Sequence, residues 1–150
     1  MAEEVICLDT SVWIKVLTDE EPRAQSEAAE RLVLRGLIAG RLVAPGWAWA
    51  EVGTVLRKKV RQGLLEPAEA EVSWDRFCRL PIEFVEHPAL RARAWDLAEH
   101  YGLLTLYDAA FLACTEVTLA EEPAVREFWT ADQQLLTHLG AQCPAYVQQI

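Results

Sequence analysis

Short apolar runs alternate with longer amphipathic stretches along this chain, and that alternation constrains the fold more than any other feature. Residues 5–8, 41–44, 82–85, 103–106 and 127–129 read as strands. Between them, residues 23–39, 47–61, 66–79, 88–101 and 108–117 read as helices, and a last helix starts at Asp132 and ends near Gly140. The 23–39 helix carries Ala28, Leu32 and Leu37 on its apolar side. Pro45-Gly46 closes the second strand, Gly63 stops a helix, and Gly102 is the expected C′ residue after the 88–101 helix. Strands alternating with helices imply βαβ units around a parallel sheet, an α/β fold. No repeat, low-complexity tract or linker interrupts the pattern, so residues 1–150 are expected to form a single domain with a real core.

Three carboxylates recur at one kind of place. Asp9 follows Val5-Ile6-Cys7-Leu8, Asp108 follows Leu103-Leu104-Thr105-Leu106, and Asp132 follows Phe128-Trp129-Thr130. Each stands at the end of an apolar run and before a helical segment. In an open parallel sheet such positions converge, because ligands bind beyond the carboxyl ends of the strands. Converging carboxylates repel one another unless a cation lies between them, and hard divalent ions such as Mg²⁺ take carboxylate oxygens. The pattern therefore points to metal-dependent phosphate chemistry. A plainer role is open to each acid, since Asp9, Asp108 and Asp132 are all placed to cap a helix N-terminus. Capping and metal binding are compatible, because a capping carboxylate has a fixed orientation.

Glu51 is harder to explain as a surface acid. Its helical neighbours at i−3 and i+4 are Ala48 and Val55, and no Lys or Arg stands at i+3 or i+4 to form the usual pair. An unpaired carboxylate on an inward face is costly, and a cation removes that cost. By contrast Glu66, Glu69, Glu71, Glu121 and Glu122 read as solvated. Arg57, Lys58, Lys59 and Arg61 form the one dense basic patch, which is either a solvated helix face or a contact to a phosphate backbone. Trp47 and Trp49 approach Glu51, and packing is the stronger expectation for them than base stacking. Ser11 and Thr130 supply hydroxyls that can orient the acids.

The bulk composition excludes several classes. With 52% apolar and 25% charged residues the chain is globular. No apolar run is long enough to span a membrane and no apolar signal core follows a basic start, so a cytoplasmic protein is expected. Cys7, Cys78, Cys114 and Cys143 lie far apart, which argues against a zinc or disulfide framework. His87, His100 and His138 have no ligand-like spacing and read as surface or helix-end residues. A net charge of −9 is unlike a passive nucleic-acid coat, and suits an enzyme that gathers acids in one cleft or a protein neutralised by a basic partner.

Taken together, Leu8-Asp9-Thr10-Ser11, Glu51 after Val43-Ala44-Pro45, Tyr107-Asp108-Ala109-Ala110-Phe111-Leu112-Ala113 and Trp129-Thr130-Ala131-Asp132 resemble the four motifs of PIN domains. They are most similar to those of VapC-type ribonuclease toxins from toxin–antitoxin pairs. The resemblance spans nearly the whole chain. It implies a three-layer α/β/α sandwich around a parallel sheet, a homodimer, a cognate antitoxin, and Mg²⁺- or Mn²⁺-dependent cleavage of RNA. It also implies that Asp9, Glu51, Asp108 and Asp132 form the acidic quartet. Residues 118–127 read as an acidic insertion before the last motif, with Glu116 an alternative outer acid.

Phosphodiester hydrolysis suits such a site, because a divalent ion polarises the phosphoryl oxygen and activates water. Asp9 and Asp108 are expected to hold the first ion, with Glu51 and Asp132 orienting water or binding a second. A phosphatase of the haloacid-dehalogenase type needs a further Asp two residues after the first, where this chain has Ser11. The other alternative is a PIN-like module that has lost catalysis and only binds RNA or protein.

Overall fold

The structure, a computed structural model, describes residues 2–150. Its elements run β1 (Glu3–Leu8), α1 (Thr10–Leu17), α2 (Arg23–Ala39), β2 (Gly40–Pro45), α3 (Ala48–Arg61), α4 (Pro67–Arg79), β3 (Ile82–Val85), α5 (Pro88–Tyr101), α6 (Leu106–Val117), β4 (Ala124–Thr130), α7 (Gln133–Leu139) and β5 (Val147–Gln149). The five strands form one sheet in the order β3-β2-β1-β4-β5, and every pairing is parallel.

β1 lies at the centre and is buried on both faces, which explains its unbroken apolar run. Alternate side chains point to opposite sides of a strand. Val5 and Cys7 accordingly join a core built with α5, α6 and α7, while Ile6 and Leu8 join a second core built with α1, α2, α3 and α4. The result is the expected three-layer α/β/α sandwich. Strand order reverses direction at β1, with β2 on one flank and β4 on the other. The crevice beyond the carboxyl ends of β1 and β4 is thus the switch point at which such sheets hold ligands.

Several expectations fail, for identifiable reasons. Residues 103–106 are not a strand. α5 and α6 are packed neighbours on one face of the sheet, and 103–105 merely connect them after Gly102, whose φ of 64° ends α5 in a left-handed turn. Leu104 is 99% exposed, so its apolar character reflects no sheet position. Residues 118–127 are not an insertion either. Thr118 closes α6, and β4 begins at Ala124, so only a short link separates them. β4 is longer than the expected 127–129, and β5 escaped notice because Val-Gln-Gln is brief and mostly polar. On α2 the buried stripe is Ala29, Leu32, Val33 and Gly36, and Leu37 faces outward. A Cβ on Gly36 would lie 2.5 Å from Leu42, so this glycine sets how closely α2 approaches β2.

Candidate active site

The sequence quartet gathers from four elements. Asp9 ends β1 and caps α1, its Oδ1 accepting the Val12 N–H at 3.1 Å. Two hydroxyls complete its coordination: Ser11 donates to Oδ1 and Thr130 to Oδ2. Each hydroxyl also accepts a backbone N–H from the chain leaving β4, Ala131 to Ser11 at 3.0 Å and Asp132 to Thr130 at 2.9 Å. Ser11 and Thr130 therefore stitch the ends of β1 and β4 together through Asp9. Asp132 caps α7 in turn, its Oδ1 accepting from Gln134 and Leu135 at 2.9 and 3.2 Å.

Asp108 does not end a strand and does not cap its helix. Thr105 holds the N-cap position, and Asp108 sits in the first turn of α6, where the helix dipole favours a negative charge. It reaches the site because α6 lies across β1 and β2. Glu51 occupies the first turn of α3 and is half-buried, without an ion pair among the described residues. Its Oε1 accepts the hydroxyl of Thr10, the first residue of α1. Sequence reading missed Thr10. The signal was present, since Thr10 adjoins Asp9, but a helix-starting threonine is ordinary enough to pass as a local cap.

The electrostatics show that the acids feel one another. Burial pushes the Asp9 carboxyl up from 3.8 to about 6, against the lowering effect of its three hydrogen bonds, and the charge of Asp108 adds to the rise. Asp108 is also raised, first by burial, then by Asp132 and Glu51, while His138 opposes the shift. His138 stands in the last turn of α7 and thus lies nearer the site than its spacing suggested. His87 behaves as expected, capping α5 by accepting the Ala89 N–H. Glu116 stands two turns along α6 from Asp108 and pairs with Arg93 at 2.5 Å. Of the basic patch, Lys59 is held by Glu20 at 3.1 Å, whereas Arg57, Lys58 and Arg61 are exposed. Trp47 packs edge-on against Tyr107 and Phe111, joining the starts of α3 and α6.

A donor set of four carboxylates, two of them raised in pKa by burial and mutual repulsion, fits a hard divalent cation. Among the described residues, no three His, Cys, Asp or Glu side chains stand close enough to enclose one ion by themselves. No helix among the described residues is long and apolar enough to cross a membrane.

With four acids at the carboxyl edge of a parallel sheet, the chain has the form of a small α/β protein with an acidic crevice at its switch point. It belongs to the PIN domain family, whose model matches residues 6–135. Two solved structures share the fold. One is VapC20 of Mycobacterium tuberculosis, described as a sarcin-ricin loop cleaving toxin, with 18% identity and a TM-score of 0.53 over 74% of this chain and 81% of that one. The other is VapBC2 from Rickettsia felis, bound to a DNA fragment from its promoter, with 15% identity and a TM-score of 0.59 over 97% of this chain and 98% of that one. Among curated proteins, none matches the sequence significantly.

Proposed function

We propose that this chain is a metal-dependent endoribonuclease and the toxin of a toxin–antitoxin pair. The observation that carries the reading is the concentration of Asp9, Asp108, Glu51 and Asp132 at one crevice, where burial and neighbouring carboxylates raise Asp9 and Asp108, with only His138 opposing the rise of Asp108. Membership of the PIN family supports it, as does the likeness of the fold to VapC20, described as a sarcin-ricin loop cleaving toxin.

Asp9 and Asp108 would hold Mg²⁺ or Mn²⁺, with Glu51 and Asp132 beside them. A bound ion would polarise the scissile phosphoryl group and favour attack by water. The chain's own part is preorganisation. Ser11 and Thr130 fix both oxygens of Asp9, so no reorientation is needed on binding. Thr10 turns Glu51 inward, and the α7 cap sets Asp132. Arg57, Lys58 and Arg61 offer phosphate contacts nearby, and Lys59 would add to them only by releasing Glu20.

The proposal extends to partners. As one domain in the cytoplasm, the chain would pair with an antitoxin that lays a basic or aromatic segment across the acids. A homodimer is supported by the exposure of Leu104, Leu106 and Tyr107 on the segment that leads into Asp108. The deciding experiment incubates purified protein with a mixed RNA panel in Mg²⁺, Mn²⁺ or EDTA, beside the Asp108→Asn variant. Cleavage that requires metal and Asp108 supports the reading. RNA bound but left uncut in either metal would make the chain a binding module instead.

A further inference from the structure

A groove of about 1000 Å³ runs along the seam between α3 and α4, and none of the four acids lines it. Leu56, Val60 and Gly53 lie along it, with Trp49 at the start of α3 and Trp74 on α4. Gly53 makes the close packing possible, because a Cβ there would come within 3.0 Å of the Trp74 ring. Trp49 is 52% exposed. About half of this indole is therefore open to the groove and to solvent.

The charge along this groove is unusual for so acidic a chain. Arg57, Lys58 and Arg61 line it, all three are exposed, and none enters an ion pair among the described residues. Lys59, between them in sequence, lines no part of it and is neutralised by Glu20. The one acid among the lining residues is Glu71, on α4. Trp49, Gly53, Arg57 and Arg61 recur at four-residue intervals, so they form one stripe down α3. Trp49 and Glu51 share the first turn of α3 but, two residues apart, point to different sides of it, so the stripe and the acids meet only at that end of the helix. From Trp49 to Arg61 the helix rises about 18 Å, room for a few nucleotides of extended strand.

An exposed indole followed along one helix by unpaired cations matches a single-stranded polyanion that carries flat apolar rings. An acidic peptide would satisfy the cations but would not call for the exposed indole of Trp49. We propose that the α3–α4 groove binds an unpaired stretch of the RNA on which the acids act, with a base against Trp49 and phosphates on Arg57, Lys58 and Arg61. This rests on the ribonuclease reading for the identity of the strand.

The test uses a fluorescent, unstructured oligoribonucleotide and the full chain in an Asp108→Asn background, so that binding is read without cleavage. Anisotropy is measured over a range of salt, with Trp49→Ala and the double variant Arg57→Glu/Arg61→Glu. Trp49 and both arginines are exposed, so these changes spare the core, and Trp74, which stacks on Phe77, is left intact. Trp49→Ala should weaken binding roughly tenfold, the loss of one stacked base. The double variant should weaken it further and flatten the salt dependence by about 1.4 in log–log slope, at ~0.7 per phosphate contact. In the active protein the same changes should raise KM for long RNA by more than they lower kcat. Wild-type affinity and slope in both variants would overturn the proposal. So would loss of a protein partner with RNA affinity intact, which would make the groove a protein-docking surface. Groove-dependent binding by a chain that cuts no RNA would instead sink the ribonuclease reading and leave the groove standing.

Discussion

The two ends of the central sheet treat their carboxylates in opposite ways. Toward the amino ends of the strands, Arg41 on β2 bridges Glu3 of β1 and Glu83 of β3, with contacts of 2.7–2.8 Å. Glu83 is held below the usual range chiefly by its bond to Arg41, and Glu3 by the Glu121 N–H and then Arg41. Arg35 similarly joins Glu4 and Glu127. At the carboxyl end, Asp9 and Asp108 are raised. The same chain that matches acids with arginines at one edge leaves them unmatched at the other. Retained like-charge repulsion of this kind is a feature of functional sites more than of structural ones.

The contrast breaks most visibly in activity. Asp108→Asn should lower RNA cleavage by roughly 100- to 1000-fold, the scale on which loss of one preorganised electrostatic group is felt. Glu83→Gln should leave the cleavage rate alone and cost at most about 1 kcal/mol of stability, since Glu83 is exposed and screened. Equal losses of activity in the two variants, measured under single-turnover conditions, would mean that the two edges do not differ in role.

A second break is in the pH dependence of stability without metal. A carboxyl raised on folding binds its proton more tightly in the native state. Its contribution therefore falls as pH rises through the unfolded value of 3.8 and then the folded value of about 6. That interval corresponds to about 3 kcal/mol for Asp9, as an order of magnitude. Glu83, lowered on folding, contributes in the opposite sense, with stability that is lost as pH falls through its folded value. In EDTA, the stability of Asp9→Asn relative to wild type should climb between pH 4 and pH 7 by urea denaturation. A flat difference would show that Asp9 is not destabilised by ionisation.

Metal should relieve the same penalty. Binding to the native state alone contributes about 2.7 kcal/mol when free ion is ~100 times its Kd. At ~2–4 °C per kcal/mol for a domain of this size, melting should rise by several degrees in Mn²⁺. The quadruple Asn/Gln variant of Asp9, Glu51, Asp108 and Asp132 should show no such rise. A shift as large in the variant as in wild type would leave Asp9 and Asp132 as helix caps and none of the four as a metal ligand.

How much of this was legible beforehand depended on how local each signal was. Asp9 and Asp132 stand at true strand ends and cap true helices, so strand period and capping chemistry located them together. Asp108 was found for a partly wrong reason. The run before it is an exposed link, and the residue reaches the crevice through the packing of α6 on the sheet, which no local pattern encodes. Only the 127–129 end of β4 reads as a strand, because Ala124 to Glu127 is mixed in polarity and its pairing with β1 is long-range. Arg41 and its two acids were invisible for the same reason, being brought together only by strand register.

Thr10 offers the finest division between the two kinds of acid. Among the described residues its hydroxyl is the one side-chain donor to Glu51, where an arginine would stand at the opposite edge. Thr10 is 7% exposed, and valine has nearly its shape, so Thr10→Val removes the donor without opening a cavity. A hydrogen bond to a charged group contributes about 1.5–3 kcal/mol. If only part of that is transmitted to the ion, Mn²⁺ affinity should fall several-fold, as measured by calorimetry, and Thr10→Ser should restore it. A purely structural threonine would behave differently, lowering the melting temperature in both variants to an extent set by packing, with Mn²⁺ affinity unmoved. That outcome would leave Glu51 outside the metal's reach and reduce the unmatched set to the three aspartates.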